Sequence, residues 1–115
     1  MKLIVAVIQP FKLPAVKEAL RKIEVLKFTA SDAEGYGQQR GHVALYRGLE
    51  YKVELLRKIE LEILVNDDFL DRTLDAIRSA ALTGADGNIG DGKIFVLPVE
   101  RAVRIRTGET GPGAV

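Results

Sequence analysis

The sequence predicts an α+β domain in which two helices cover one face of an antiparallel sheet. Two observations carry this prediction. Short apolar and β-branched runs recur along the chain, and two segments with apolar residues at helical spacing each follow one of these runs. The order strand, helix, strand therefore occurs twice within 115 residues, which is the size of one compact domain.

The first half supplies a strand, a helix and a second strand. Residues 3–8 form a continuous apolar run that ends before Pro10, which predicts a strand. Pro14 suits the first turn of a helix over residues 13–23. Alternation of apolar and polar residues then predicts a second strand over residues 26–34. The apolar face of the helix consists of Val16, Ala19, Leu20 and Ile23.

The second half repeats this layout and adds a short strand. Strict alternation over residues 59–65 predicts a third strand, and Asn66 or Asp67 can cap the helix that follows. Residues 93–99 predict a fourth strand and residues 102–106 a fifth. The tail, residues 108–115, holds three glycines and a proline, and is predicted to be flexible. The second helix has an apolar face of Leu70, Leu74, Ile77 and Ala81.

This order of elements is the ferredoxin-like βαββαβ plan, in which the helices lie on one face of the sheet. The other face still carries apolar residues, so it needs a partner, and association of subunits is the simplest cover.

Bulk composition excludes several classes of function. A net charge of +1 gives no broad basic field for nucleic acid or an anionic membrane. The absence of cysteine excludes disulfides and thiolate chemistry, and fits a cytoplasmic protein. The longest apolar run, residues 3–8, is too short to span a membrane. No nucleophile–base pair or metal cluster stands out, which favours a binding protein over an enzyme.

A long polar and glycine-rich segment, residues 35–55, separates the two halves. Loops of this length inside compact domains are usually functional or mobile. The alternative is a hairpin that projects to pack on a partner subunit. The only histidine of the chain, His42, lies in this segment and is not assigned a catalytic role. Tyr46 and Tyr51 are either accessible to a modifying enzyme or loop anchors.

The glycine-rich segment over residues 83–93 is a candidate phosphate loop. Glycines let backbone N–H groups turn toward a phosphate, and Lys93 adds a cation at the end. The spacing is not that of a Walker A motif, and the segment precedes a strand rather than a helix. The alternative is a flexible connection from helix to strand.

Arg101, Arg104 and Arg106 form a second candidate anion site. On an extended strand Arg104 and Arg106 point to the same face, where paired guanidiniums suit bidentate contact with phosphate. The alternative is a solvated edge strand whose charges block aggregation.

Three other functions fit the same topology less well. A small phosphatase or phosphotransfer enzyme would need a catalytic residue at a strand end, whereas His42 lies in the long loop. A nucleic-acid-binding module would need aromatic residues on the central strands and a basic surface. A structural trimer related to copper-tolerance proteins would not need the glycine loop and the paired arginines together.

Five segments jointly resemble the PII signal-transduction family, and the likeness runs from residue 1 to about residue 108. They are the first strand with the PFKL that follows it, GYGQQRGH at 35–42, YRGLEY at 46–51, IGDGKIFV at 89–96 and VRIRTG at 103–108.

The resemblance implies a ferredoxin-like domain over residues 1–107 that assembles as a homotrimer. It also implies a T-loop at about 37–55, a B-loop at 83–92 and a C-loop at about 101–106. ATP or ADP would bind in clefts between subunits, and 2-oxoglutarate would bind when MgATP is present. The T-loop would then act on nitrogen-metabolism proteins such as ammonium channels, glutamine synthetase regulators or acetylglutamate kinase, with no nucleic-acid partner and no insertion into a membrane.

The resemblance also assigns roles to individual residues. Gln39 would ligate Mg²⁺, Lys58 would pair with the far carboxylate of 2-oxoglutarate, and Tyr51 matches a tyrosine that some members modify with a nucleotide. Arg104 and Arg106 would reach the phosphates from the neighbouring subunit. The implied 2-oxoglutarate site is Gln39, Gly41, Lys58 and Gly90. The implied nucleotide site is Val7, Thr29, Gly37, Gln38, Gln39, Leu64, Thr83, Gly90, Asp91, Gly92, Lys93, Arg104 and Arg106.

The chain departs from the family pattern in its phosphate loop. Residues 85–89 separate Thr83-Gly84 from Gly90, about three more than the family pattern leads us to expect. We expect this insertion to bulge into solvent, because Gly87 and Asn88 suit a tight turn. Gln38 also stands where many members have arginine, and Leu49 replaces a serine that some members phosphorylate.

Overall fold

A computed structural model describes residues 1–38 and 53–115, which form four strands and two helices. Short 3-10 turns, Pro10–Lys12 and Asp67–Phe69, lead into the two helices. The elements in chain order are β1 (Lys2–Ile8), α1 (Leu13–Lys22), β2 (Thr29–Gln38), β3 (Val53–Val65), α2 (Leu70–Ala81) and β4 (Gly92–Pro98).

The four strands form one antiparallel sheet in the order β2-β3-β1-β4. The two central strands are therefore the first strand of each half of the chain. This arrangement confirms the predicted α+β, ferredoxin-like fold. None of the helices within residues 1–38 and 53–115 is long and apolar enough to cross a membrane.

The core lies between the sheet and the helices. On β1, buried Ile4, Ala6 and Ile8 alternate with partly exposed residues, and on β3 the odd-numbered residues from Ile59 to Val65 are buried. Each large aliphatic side chain removed from water stabilises the fold by about 1.5–3 kcal/mol. The helices contribute Val16, Leu20, Thr73, Ile77 and Ala81 to this layer.

The opposite face of the sheet, here called the open face, remains partly apolar. Val5 lies between Glu62 of β3 and Phe95 of β4, and Leu3 lies between Leu64 and Leu97. Phe95 is 48% exposed and Leu97 is 45% exposed. The open face is therefore the uncovered apolar surface that the sequence predicts.

The second and third strands extend further than predicted. β2 begins at Thr29 rather than at residue 26, and reaches Gln38, while β3 begins at Val53 rather than at residue 59. The extended parts of the two strands pair through their backbones, with Gly35 opposite Leu56 and Gly37 opposite Glu54. Because backbone hydrogen bonds do not depend on side chains, these parts form without alternating apolar residues. Most of the predicted long loop, residues 39–52, lies outside the described residues.

The predicted fifth strand is wrong. Residues 102–106 make a single bridge, from Val103 to Thr110, and then turn. The Gly108 amide donates to the carbonyl oxygen of Arg104 at 2.8 Å, which closes the turn, and Gly108 has a φ of 70°. Arg104 and Arg106 therefore do not share one face of a strand.

The tail, which the sequence predicts to be flexible, contains a 3-10 turn over Gly111–Ala114. Asn66 Nδ2 donates to the Pro112 carbonyl at 3.1 Å, and Arg104 Nη2 donates to the Gly113 carbonyl at 2.9 Å. These two hydrogen bonds connect the tail to Asn66, before α2, and to the turn that contains Arg104.

The capping prediction for the second helix is also wrong. Asn66 holds the N-cap position of the 3-10 turn without a side-chain capping bond. Asp67 instead accepts a hydrogen bond of 3.0 Å from the N-terminal ammonium of Met1. The same carboxylate also lies 3.9 Å from the Nζ of Lys2.

Candidate functional site

A cleft of about 420 Å³ lies at the end of the sheet where β4 begins. Six residues that the resemblance assigned to ligands meet there, although they come from all four strands and the preceding loop. These six are Val7, Gly37, Lys58, Gly90, Gly92 and Lys93, and the remaining lining residues are Gly35, Tyr36, Leu56 and Phe95. The register explains the meeting, because Val7 of β1 pairs with Lys93 of β4 and with Glu60 of β3.

Lys58 is a buried cation in this cleft. Its residue is 8% exposed, and its Nζ donates a hydrogen bond of 2.7 Å to the carbonyl oxygen of Gly90. Burial lowers the pKa of Lys58, and the negative charge of Asp91 partly opposes that shift. Gly35 makes room for its aliphatic stem, since a Cβ at that position would lie 3.3 Å from Lys58 Cγ. The ammonium is thereby held at the cleft with a single neutral partner among its described hydrogen bonds.

Gly92 allows β4 to start directly against β1. Its φ is 115°, and a Cβ at this position would lie 1.8 Å from the Val7 carbonyl oxygen. Only glycine fits a positive φ combined with so close an approach of two backbones. The glycine that sequence reasoning assigned to phosphate binding therefore also has a steric role in the fold.

Asp91 and Thr83 were both assigned to the nucleotide, but their side chains contact each other. Asp91 Oδ1 accepts a hydrogen bond of 2.5 Å from Thr83 Oγ1, and Asp91 Oδ2 accepts from the Thr83 amide at 3.0 Å and the Asn88 amide at 2.9 Å. Burial opposes ionisation of Asp91, but these hydrogen bonds outweigh it and hold the pKa of the carboxyl below its usual value. The carboxylate belongs to the internal structure of the loop.

The inserted part of the loop lies away from the cleft. Asp86 is exposed, and residues 84–89 are absent from the cleft lining. Gly87 adopts a φ of 78° and turns closely over Leu82 and Asp91. This exposed turn agrees with the bulge that we expect for residues 85–89.

Thr29 and Leu64 do not line the cleft, but they share the open face with it. Thr29 pairs with Glu62 of β3. The cleft residue Val7 pairs with Glu60, and Leu64 lies four residues further along β3 than Glu60. At the rise of a strand this separation is about 13 Å. Leu64 contributes instead to a second cavity of about 310 Å³ near the chain terminus Val115.

The two arginines lie elsewhere in the single chain. Arg104 Nη1 lies 3.7 Å from a carboxylate oxygen of Glu109, and its Nη2 donates to the Gly113 carbonyl. Arg106 is exposed in the adjacent turn. Gln39, Gly41 and Tyr51, and with them the predicted Mg²⁺ ligand and modification site, lie outside the described residues, as does the side chain of Gln38.

Sequence reasoning missed four contributors to the cleft. Gly35, Tyr36 and Leu56 line it because β2 and β3 continue beyond their predicted ends. Phe95 lines it because it follows Lys93 on the same face of β4. The alternation of Lys93, Phe95 and Leu97 in the sequence could have identified Phe95. No sequence pattern marks the extensions of β2 and β3, so the residues on them could not be found in this way.

The fold and the site define a class: a ferredoxin-like domain with a cationic, glycine-edged cleft at one end of its sheet. The sequence model described as "Nitrogen regulatory protein P-II" matches residues 1–109. The chain is also 53% identical over 115 residues to nitrogen regulatory protein GlnK1 of Methanosarcina mazei, a match that covers 100% of this chain and 97% of that protein.

Two bacterial relatives match along their whole lengths. Nitrogen regulatory protein P-II of Bradyrhizobium diazoefficiens is 53% identical over 115 residues, and that of Azospirillum brasilense is 51% identical over 115 residues, with 100% of both chains covered in each case. This chain belongs to the nitrogen regulatory protein P-II family, which confirms the resemblance seen in its sequence motifs.

Proposed function

We propose that this protein binds ATP or ADP along the cleft and 2-oxoglutarate beside Lys58, and that it regulates nitrogen-metabolism proteins through the segment over residues 37–55. One observation carries the proposal. Six residues that are scattered through the sequence, and that the resemblance assigned to these ligands, line one cleft, and two of the six are lysines.

The phosphates are assigned to the end of the cleft formed by Gly90, Gly92 and Lys93. Both glycines have positive φ values, 97° and 115°, so no side chain covers their backbone there. Backbone N–H groups and an ammonium are the partners that a polyphosphate requires. The distance of about 13 Å from this end to Leu64 leaves room along the open face for the nucleoside.

The dicarboxylate is assigned to Lys58 and Gly90. Lys58 is buried, so an ion pair formed there is screened less than one at the surface. In this proposal Gln39 supplies an oxygen to Mg²⁺, and the cation joins the nucleotide phosphates to 2-oxoglutarate. The residues that would hold the metal and the rest of the acid come from the segment beginning at Gln39.

Assembly as a homotrimer completes the proposal. The open face offers partly exposed Phe95 and Leu97 beside Val5, an apolar surface that another subunit can cover. The neighbouring subunit would bring Arg104 and Arg106 to the phosphates. This arrangement accounts for two arginines that line no part of the cleft in their own chain.

A regulatory role is favoured over the alternative of a small phosphatase or phosphotransfer enzyme. The relatives that match along the chain are named regulatory proteins. In this proposal the protein acts in the cytoplasm on ammonium channels, glutamine synthetase regulators or acetylglutamate kinase. It binds no nucleic acid and does not insert directly into a membrane, and Tyr51 is a modification site.

Calorimetric titration tests the proposal. ATP and ADP are titrated into the protein separately, and 2-oxoglutarate is then titrated with and without MgATP. The expected result is that both nucleotides bind and that 2-oxoglutarate binds only with MgATP present. Failure of both nucleotides to bind at millimolar concentration contradicts the proposal. Light scattering of the same sample tests the trimer, and a monomer contradicts that part.

A further inference from the structure

Asp91 ties together the two ends of the glycine loop that precedes β4. Its carboxylate accepts three hydrogen bonds, two from Thr83 at the start of the loop and one from Asn88 near its end. All three are charge-assisted, which makes them the stronger kind of hydrogen bond in proteins. One side chain therefore links the start of the loop to its end.

The loop needs these hydrogen bonds because its glycine-rich backbone can adopt many conformations. Gly84, Gly87 and Gly90 adopt positive φ values of 67°, 78° and 97°. Glycines lose the most conformational freedom on ordering, so a segment rich in them is costly to hold in one shape. A Cβ at Gly87 would lie 3.2 Å from Asp91 Oδ2, which shows that the turn closes directly on the carboxylate.

The position of Asp91 connects this tie to the cleft. Its two sequence neighbours, Gly90 and Gly92, both line the cleft, and Gly90 also accepts the hydrogen bond from Lys58. Fixing the carboxylate therefore fixes the backbone on either side of it. A carboxylate facing a polyphosphate would repel it, whereas one occupied by three donors of its own loop does not act as a ligand.

We propose that Asp91 is a positioning residue of the nucleotide site, which holds the backbone of Gly90 and Gly92 in a phosphate-binding shape by binding Thr83 and Asn88. This inference rests on the proposed nucleotide function. It assigns to Asp91 a role opposite to the one that charge alone predicts, because loss of a negative charge near a polyphosphate should by itself strengthen binding.

Two matched variants separate these roles. Asp91→Asn keeps the size of the side chain but replaces one acceptor oxygen by a donor, so it cannot accept all three hydrogen bonds. Asp86→Asn removes the same charge from the exposed, inserted part of the same loop. ATP affinity is measured by calorimetry for both variants and for the unaltered chain. Protection of the Thr83 and Asn88 amides is measured by hydrogen exchange without nucleotide.

We expect only one of the two variants to weaken ATP binding. Asp91→Asn weakens ATP binding by about tenfold or more and lowers protection of both amides, because a charged acceptor is lost. Asp86→Asn leaves ATP affinity unchanged or tighter. If Asp91→Asn binds ATP as Asp86→Asn does, or if amide protection is unaltered, the role of Asp91 is overturned while the proposed function stands. If the unaltered chain binds no ATP, the proposed function itself is overturned.

A second pair covers the case in which Asp91→Asn does not fold. Thr83→Val removes the hydroxyl that binds Asp91 Oδ1, and Thr83→Ser retains it. We expect Thr83→Val to lower protection of the Asn88 amide in the nucleotide-free protein, and Thr83→Ser to keep it. Equal protection in the two variants contradicts the proposal.

Discussion

Lys58 Nζ donates a hydrogen bond of 2.7 Å to the carbonyl oxygen of Gly90, and so joins β3 to the glycine loop across the cleft. The two residues are 32 positions apart in the chain, and both belong to the proposed 2-oxoglutarate site. In the proposed function, a carboxylate that binds Lys58 meets an ammonium that is already hydrogen-bonded to this carbonyl. The acid would therefore lie directly beside the loop that the proposal assigns to phosphates.

Lys58→Met should abolish the response to 2-oxoglutarate and leave ATP binding nearly intact. Methionine keeps much of the aliphatic stem but removes the ammonium, so a buried carboxylate would lack its charged partner. We expect 2-oxoglutarate affinity in the presence of MgATP to fall at least about tenfold, as measured by calorimetry.

Arg57→Met is the matched control for that variant. Arg57 is the preceding cation on β3, but it lies on the other face, where its side chain is 76% exposed beside Asp32. Its loss should leave both affinities unaltered. A Lys58→Met protein that still responds to 2-oxoglutarate would show that Lys58 is wrongly assigned.

Gly92→Ala should destabilise the fold severely. The new Cβ would overlap the Val7 carbonyl oxygen, at 1.8 Å, and the φ of 115° is strained for any residue with a side chain. We expect the free energy of unfolding to fall by about 3 kcal/mol or more, measured by urea denaturation.

Gly37→Ala provides the comparison for this steric argument. A Cβ at Gly37 meets nothing within 4 Å, and the residue lies in β2. Here alanine should leave the free energy of unfolding unaltered or raise it by about 0.5–1 kcal/mol. Equal stability of the two alanine variants would contradict the steric role of Gly92.

Leu97→Glu should dissociate the proposed trimer. Leu97 lies on the open face opposite Leu3, and burial of an unpaired carboxylate in a subunit interface is strongly unfavourable. The expected result in light scattering is a shift from trimer to monomer. Leu26→Glu, at a residue 69% exposed and outside the sheet, should leave the trimer intact.

The stability that Asp91 contributes should disappear in acid. Burial opposes its ionisation, but the hydrogen bonds from Thr83 and Asn88 set its folded pKa below the unfolded value. A group of this kind contributes stability above its unfolded pKa, which is about 4, and loses it as the pH falls through the folded pKa. The difference in unfolding free energy between the unaltered chain and Asp91→Asn should therefore shrink below about pH 4.

Urea denaturation over a series of pH values measures that difference. Asp86→Asn, measured in parallel, corrects for the removal of one negative charge from the loop. A gap between the unaltered chain and Asp91→Asn that stays constant from neutral pH into acid would show that the carboxylate charge is not what stabilises the loop.

Much of the fold was predictable because it depends on local periodicity. The alternation of Ile59, Leu61 and Ile63 placed one face of β3 against the helices, and the helical spacing of Val16 and Leu20 placed them in the same core. These patterns follow from side-chain burial, which depends on the type of residue at each position. The resemblance to a family then identified the lysines and glycines that meet in the cleft.

Structural features that depend on pairing between distant segments could not be predicted from local periodicity. The extension of β2 and β3 is carried by backbone hydrogen bonds, so no apolar alternation marks it. The turn that replaces the predicted fifth strand, and the docking of the tail through Asn66, depend on contacts made only after folding.

The amino-acid sequence by itself determined the fold class, the family and which residues are suited to bind anions, since all three depend on residue type and spacing. Only the tertiary structure decided how those residues are used. It brings Lys58 to Gly90, places the backbone of Gly92 against Val7, and directs the Asp91 carboxylate into its own loop. The physical reason is that hydrogen bonds and steric contacts act over a few ångströms, and folding alone brings distant residues within that range.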